Sequence, residues 1–362
     1  MSRGRPPRAR RYVDLLPAYV AGAPAHRPDG SPGHKLASNE SPYPLDPEVQ
    51  EAIQEAAVGG NRYPAGEARL QARLAARHQL SEEMVRVSGG SLTLLRDLLT
   101  AFCGQGREGV IGWRSYEAYP IIIGSTGARA VRVPLHQHRL DPEGLAAAVS
   151  PRTSVVLASN PNNPTGTALS EPEVLQLAEA VPERCLLVLD QAYCEFSPPE
   201  LGELGLRLVR ERANVVVLRS FSKAFALAGL RVGWCAADRA VLEALERVSL
   251  PFTLTELAEA AALASLELEP RLRHRVRVTV SERERLVGEL RRSGWEVPDS
   301  GGNFFWLPLA DRSLSLAQAC AAQGISVHCF PGEGVRVTVG TPEENRELLM
   351  VVSSWRAGGA RL

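Results

Sequence analysis

Apolar positions along the chain gather in short runs rich in β-branched residues, at 85–88, 109–112, 129–135, 154–158, 186–189, 214–219 and 231–235. Several of these runs are apolar at every position. They lack the alternation of a strand with one face in water, so they predict a sheet covered on both faces. Helical stretches or loops separate them, and the pattern is helical from Pro47 (Val49, Ile53, Ala56, Ala57), over 67–78 and over 92–102. The alternation predicts an α/β fold with a mostly parallel seven-stranded sheet covered by helices. After Pro251 the texture changes. Two long helical segments (255–267 and 270–293) precede short strands at 304–309, 326–329 and 336–339 and a last helix over 342–355, which together predict a smaller α+β unit. Residues 12–45 are rich in Pro and Gly and read as an extended arm. The expected division is an N-terminal arm over 1–45, a large domain over 46–250 and a small C-terminal domain over 251–362.

Composition narrows the function classes. The 362 residues carry 41 basic and 41 acidic side chains, and this balance argues against a general nucleic-acid or anionic-membrane binder. Five arginines among the first eleven residues read as a basic arm, with no basic stripe elsewhere to extend it into a nucleic-acid surface. No apolar run approaches a membrane span and no signal-peptide core follows the first residues, so a cytoplasmic protein is expected. The six cysteines are scattered without a CxxC pair, which supports neither a zinc site nor a disulfide framework. The cation usage is uneven: 39 arginines stand against two lysines, Lys35 and Lys223. A guanidinium stays protonated and cannot act as an amine nucleophile, so a retained lysine is a candidate for chemistry that needs a neutral amine.

The candidate chemical residues fall in turns after the apolar runs, where ligands bind in open α/β sheets. Ser220-Phe221-Ser222-Lys223, with Arg231 eight residues on, offers hydroxyls and a guanidinium for a phosphate and an amine for an aldehyde. A phosphate and an aldehyde on one molecule describe pyridoxal 5′-phosphate, although SxSK alone also suits a surface turn. Asp190 at a strand end can keep a pyridinium protonated, and Tyr193 can donate to a ring oxygen. The pair reads equally as a helix cap with a packing tyrosine. Asn160-Pro161-Asn162-Asn163-Pro164-Thr165-Gly166 makes a rigid turn that needs no function. Ser88-Gly89-Gly90-Ser91 opens a helix whose N–H groups can face an anion or merely be capped. Tyr116 can stack on an aromatic ring or pack in the core.

Together, in this order, the fragments resemble the fold-type I pyridoxal 5′-phosphate-dependent aminotransferases. KLASNESP, NRYP, SNPNNPTGT, LDQAY, RSFSKAFALAGLRVGW and VRVTVGTPEEN resemble the histidinol-phosphate aminotransferase family. GWRSYEAYP and the run Asn303-Phe304-Phe305-Trp306-Leu307-Pro308-Leu309 resemble its actinobacterial aromatic amino acid aminotransferase branch more closely. The resemblance implies Lys223 as the Schiff-base lysine and proton carrier, with Asp190 at the pyridine nitrogen. Asn163 and Tyr193 would bond the ring oxygen and Tyr116 would stack on the ring. Gly90, Ser91, Ser220, Ser222 and Arg231 would hold the phosphate, and Tyr63 would reach the partner's phosphate across a homodimer with shared active sites. Arg336 would clamp the substrate carboxylate, with Asn39, Tyr19 and His328 near the substrate. The implied reaction moves an amino group from an amino acid to a 2-oxo acid in a ping-pong cycle.

Four residues at three places depart from the pattern. Gln191 replaces a glutamate in the usual DEAY, Leu92-Thr93 replaces an acidic pair after Ser91, and His328 stands where both branches have an arginine. The segment 330–335 adds no cation, so the pocket suits an aromatic side chain, with Tyr19, Tyr116 and Phe330 as expected lining, better than a dianionic phosphate. Phenylalanine or tyrosine with 2-oxoglutarate is therefore the expected substrate pair. Histidinol phosphate, another pyridoxal-phosphate reaction and a non-enzymatic regulator stand as alternatives.

Overall fold

The computed structural model describes residues 8–19, 22, 25–27 and 29–357. Arg3 and Arg5 of the basic arm lie outside them. The named strands are β1 (His34–Leu36), β2 (Val85–Ser88), β3 (Glu108–Trp113), β4 (Arg129–Pro134), β5 (Thr153–Ser159), β6 (Leu186–Asp190), β7 (Val215–Ser220), β8 (Gly233–Ala236), β9 (Phe304–Leu307), β10 (Ile325–Phe330) and β11 (Gly334–Thr338).

The expected large sheet is present, with strand order β2-β8-β7-β6-β5-β3-β4. Its five strands from β3 to β7 run parallel, and β8 is antiparallel to both β7 and β2. The continuous apolar runs have a direct cause. Successive residues alternate between two cores: Leu187, Leu189, Val215 and Val217 enter one, and Leu186, Val188, Val216 and Leu218 enter the other. Each fully buried Val or Leu contributes about 1.5–3 kcal/mol, so a polar residue on either face would be costly. Helices Pro47–Ala57, Ala68–Arg77, Glu171–Ala180 and Pro199–Glu211 supply the first core, and Ser91–Phe102, Ala118–Ser125 and Arg239–Glu246 supply the second.

A second sheet has the order β1-β10-β11-β9 and carries its own core, built with helices Glu269–Arg292, Ser313–Ala322 and Pro342–Ala357. Two segments pack differently from the expected division. Residues 34–36 of the arm form β1, parallel to β10, and Leu36 enters the small core. Helix Glu256–Glu267, expected with the small domain, places Ala258, Ala261, Ala262 and Leu266 in the large core. The physical reason is an alanine-rich face that allows close approach to helix Pro47–Ala57.

Candidate active site

The parallel strands β5, β6 and β7 end side by side, with Ser159, Asp190 and Ser220 as their last residues. All three line a cavity of about 270 Å³ between the two sheets. The Asp190 carboxyl is buried and accepts hydrogen bonds from the Tyr119 hydroxyl (2.6 Å) and the Ala192 N–H (3.0 Å). Burial raises its pKa above the ordinary aspartate value, against the opposing pull of these bonds and of the Lys223 charge. A carboxylate with only neutral hydrogen-bond donors in contact, in a desolvated place, favours a cationic N–H as its further partner.

Lys223 follows β7 in a turn closed by the Ser222 N–H donating to Ser220 Oγ (3.0 Å). Its Nζ donates to the carbonyls of Ser38 and Asn39, each at 3.2 Å, and lies 5.6 Å from the Tyr193 ring centre. Burial, reinforced by the nearby Arg336 charge, pushes the amine down to about 7. A near-neutral amine is what carbonyl chemistry and proton abstraction both need. Lys35, the other lysine, is exposed and paired with Glu40 at 2.9 Å.

At one end of the cavity Ser91 begins helix Ser91–Phe102, whose first N–H groups have no intrahelical acceptor. Gly90 precedes it at φ 99°, a conformation that favours glycine, and a Cβ there would come within 2.8 Å of the Arg231 guanidinium. Arg231 donates to Ser222 Oγ at 3.3 Å, and Ser220 lines the same corner. A helix N-terminus, two hydroxyls and a guanidinium thus converge on one anion-sized space.

At the other end Arg336 is buried and donates to Asn163 Oδ1 at 2.6 Å and to the Ala37 carbonyl, while its Nε has no partner among the described residues. Burial lowers its pKa, against Tyr193, Tyr19 and Glu117, but a guanidinium stays charged. His328 faces Arg336 across the β10–β11 ladder. Tyr19 and Tyr116 meet edge to face, centroids 6.2 Å apart, over the same space.

Of the residues expected from the sequence, the cavity collects Tyr19, Ser91, Tyr116, Asn163, Asp190, Tyr193, Ser220, Ser222, Lys223, Arg231, His328 and Arg336. Asn39 is not among its lining residues. Its Nδ2 donates to the Tyr193 hydroxyl (3.0 Å) and its Oδ1 accepts from Thr338 (3.0 Å), so it positions Tyr193. Tyr63 also lies outside, 80 % exposed and stacked on Phe252 at 4.6 Å. Phe330, an expected lining residue, packs on Trp306 and His328 instead. Gln191 points away from the cavity, accepting from Arg219 and donating to the Leu201 carbonyl. In the asparagine turn, Asn162 bonds the Arg114 carbonyl and Thr165, and Asn163 faces the cavity. Two contributors escape a linear reading. Tyr119 holds Asp190, and Glu117 accepts from His328 Nε2 at 2.9 Å. Tyr119 stands three residues after Tyr116 in the sequence, at the start of the helix that follows it, which was the available signal. Among the described residues no group of His, Cys, Asp and Glu could hold a metal ion, and no helix is long and apolar enough to cross a membrane.

Residues 32–352 match the family model "Aminotransferase class I and II". The chain is 46% identical over 356 residues to an aromatic amino acid aminotransferase of Thermobifida fusca, covering 98% of this chain and 99% of that protein. It is 43% identical to a protein of the same name from Streptomyces coelicolor, covering 97% and 98%. Among solved structures, the histidinol-phosphate aminotransferase of Sinorhizobium meliloti in complex with pyridoxal-5′-phosphate superposes with a TM-score of 0.83 at 27% identity, covering 90% of this chain and 92% of that one. With a family match over nearly the whole chain and a lysine, a buried carboxyl and a buried guanidinium around one cavity, the protein belongs to the aminotransferase class I and II family.

Proposed function

We propose that the chain is a pyridoxal 5′-phosphate-dependent aminotransferase that moves the amino group of phenylalanine or tyrosine to 2-oxoglutarate. The observation that carries this reading is the sharing of one cavity by the Lys223 amine, the Asp190 carboxyl and the Arg336 guanidinium. The donor set fits the cofactor. An anion corner (Ser91, Ser220, Ser222, Arg231) suits its phosphate, Asp190 suits its ring nitrogen and Lys223 suits its aldehyde. When bound, the cofactor supplies a carbonyl for amines and a cationic ring that accepts electrons.

The chain's own residues then divide the work. Lys223 would hold the aldehyde carbon, and its Nζ is the amine that would take a substrate Cα proton. Asp190 would hold the proton on the ring nitrogen, and Tyr119 fixes the carboxylate. Tyr193 accepts from Asn39, which leaves its hydroxyl hydrogen for the ring oxygen. Asn163 accepts from Arg336 through Oδ1, which leaves its amide N–H groups for the same oxygen. Tyr116, which lines the same cavity, would cover the ring face. Arg336 takes the substrate carboxylate.

The names of the relatives support the aromatic substrate, and so does His328, which occupies the place of a second arginine. A side-by-side steady-state comparison at pH 7–8 tests this. We expect kcat/KM for phenylalanine or tyrosine with 2-oxoglutarate to exceed that for histidinol phosphate by at least about tenfold. The opposite preference would replace the aromatic reading by the histidinol-phosphate one. His328→Arg should raise activity on the phosphorylated substrate and leave phenylalanine comparatively untouched.

We further propose a two-fold dimer in which Tyr63 completes the partner's phosphate corner. Its exposure, together with exposed Val58, Leu250 and Phe252, supports this. Tyr63→Phe and Lys223→Ala dimers should each be impaired. Reassociated mixtures should recover about a quarter of wild-type activity, since half of the dimers are mixed and one of their two sites is intact. A mixture no more active than the mean of its parents would remove Tyr63 from the partner's site.

A further inference from the structure

We propose that Glu117, acting through His328, filters the charge of the acid group that binds Arg336, admitting a carboxylate and excluding a dianion such as a phosphate or phosphonate. The inference rests on the reading of Arg336 as the carboxylate partner and adds a residue that opposes the wrong anion.

The placement is specific. His328 and Arg336 are directly opposite on the antiparallel pair β10–β11, so their side chains share a face, and both line the cavity. Glu117 follows Tyr116 at the start of helix Ala118–Ser125, where its side chain makes no cap hydrogen bond. It is turned to His328 instead, accepting from Nε2 at 2.9 Å. That contact assigns the Nε2 proton to the Glu117 side.

The charges around this end are few. Arg114 is bonded to Glu333 and Lys35 to Glu40, so each of these cations carries its own counter-charge. Lys223, which also lines the cavity, is the residue that would bind the cofactor aldehyde. What remains near the acid group is Arg336 and the His328–Glu117 pair. Burial works to raise the Glu117 carboxyl, but the hydrogen bond from His328 and the charges of Arg114 and Arg336 outweigh it and hold it below its ordinary value. Glu117 is therefore an anion at neutral pH. Its pair with His328 sums to zero when the imidazole is protonated and to minus one when it is neutral. In neither state does the pair add positive charge. Arg336 alone matches one negative charge, and a second on the same group faces the His328–Glu117 pair, which offers it no net positive charge. Discrimination by an opposing charge is effective here because the site is partly desolvated.

The test uses two ligands of matched shape that are not turned over, 3-phenylpropanoate (a monoanion) and 2-phenylethylphosphonate (a dianion at about pH 8.5). Each is titrated calorimetrically into the pyridoxal-phosphate-loaded enzyme. Wild type should bind the carboxylate more tightly. Glu117→Gln keeps an acceptor for His328 and removes the charge, and should improve the phosphonate-to-carboxylate affinity ratio by about tenfold, chiefly through the phosphonate. Glu117→Asp, which keeps the charge, should retain the wild-type preference. An unmoved ratio in Glu117→Gln, an equal change for both ligands, or wild-type enzyme that prefers the phosphonate or fails to bind the carboxylate would overturn the proposal. Turnover of phenylalanine is measured on the same samples. A ratio that moves as expected in an enzyme inactive on aromatic amino acids would keep the filter and discard the aromatic substrate.

Discussion

Lys223→Arg should give a folded protein whose transamination is slower by at least about a thousandfold, the scale of a lost general base compounded by a lost covalent anchor. The substitution keeps a positive charge on a long side chain, so it separates charge from amine chemistry. Burial and Arg336 bring the lysine amine down to about 7, where it gives up its proton readily. A guanidinium in the same place stays protonated and has no lone pair for a carbonyl carbon or a Cα proton. The measurement is the steady-state rate with phenylalanine and 2-oxoglutarate, with thermal melting to confirm folding. A variant within about tenfold of wild type would show that Lys223 is not the working amine.

Asp190→Asn should lower kcat by about two to three orders of magnitude, the range seen when a preorganised electrostatic partner is removed, and weaken cofactor binding by much less. The amide oxygen can still accept from the Ala192 N–H while its NH2 donates to the Tyr119 hydroxyl oxygen, so the local packing survives. It cannot balance a cationic ring nitrogen. The phosphate corner of Ser91, Ser220, Ser222 and Arg231 is untouched, which is why affinity should be largely retained. Stopped-flow measurement of Cα-proton removal, with a deuterated substrate as control, separates the two effects. Near-normal turnover, or a loss confined to cofactor affinity, would contradict the role given to Asp190.

The sheet was legible because its strands are buried on two faces. Leu186–Asp190 and Val215–Ser220 feed alternate residues into two cores, and that requirement writes unbroken apolar runs into the sequence. Lys223 stood out because arginine had replaced lysine at nearly every other cationic position, and Asp190 because it ends an apolar strand. What escaped depends on contacts between distant segments. Strand β1 is three residues long and owes its conformation to β10, nearly 300 residues away. Helix Glu256–Glu267 has a helical pattern that marks it as buried but not which core receives it. Asn39 was expected near the substrate, but its left-handed backbone (φ 53°) and its bonds to Tyr193 and Thr338, which tie it to the tyrosine, were not legible. Glu117 and His328 are 211 residues apart, and only the packing of the small sheet on the large one brings them together.

The central claim, that Lys223 carries the cofactor, is tested most directly by borohydride reduction of the purified enzyme followed by peptide mapping. One pyridoxyl group per chain on Lys223 is the expected result. Label on Lys35, or a reduced protein with no pyridoxyl group on any lysine, would contradict it.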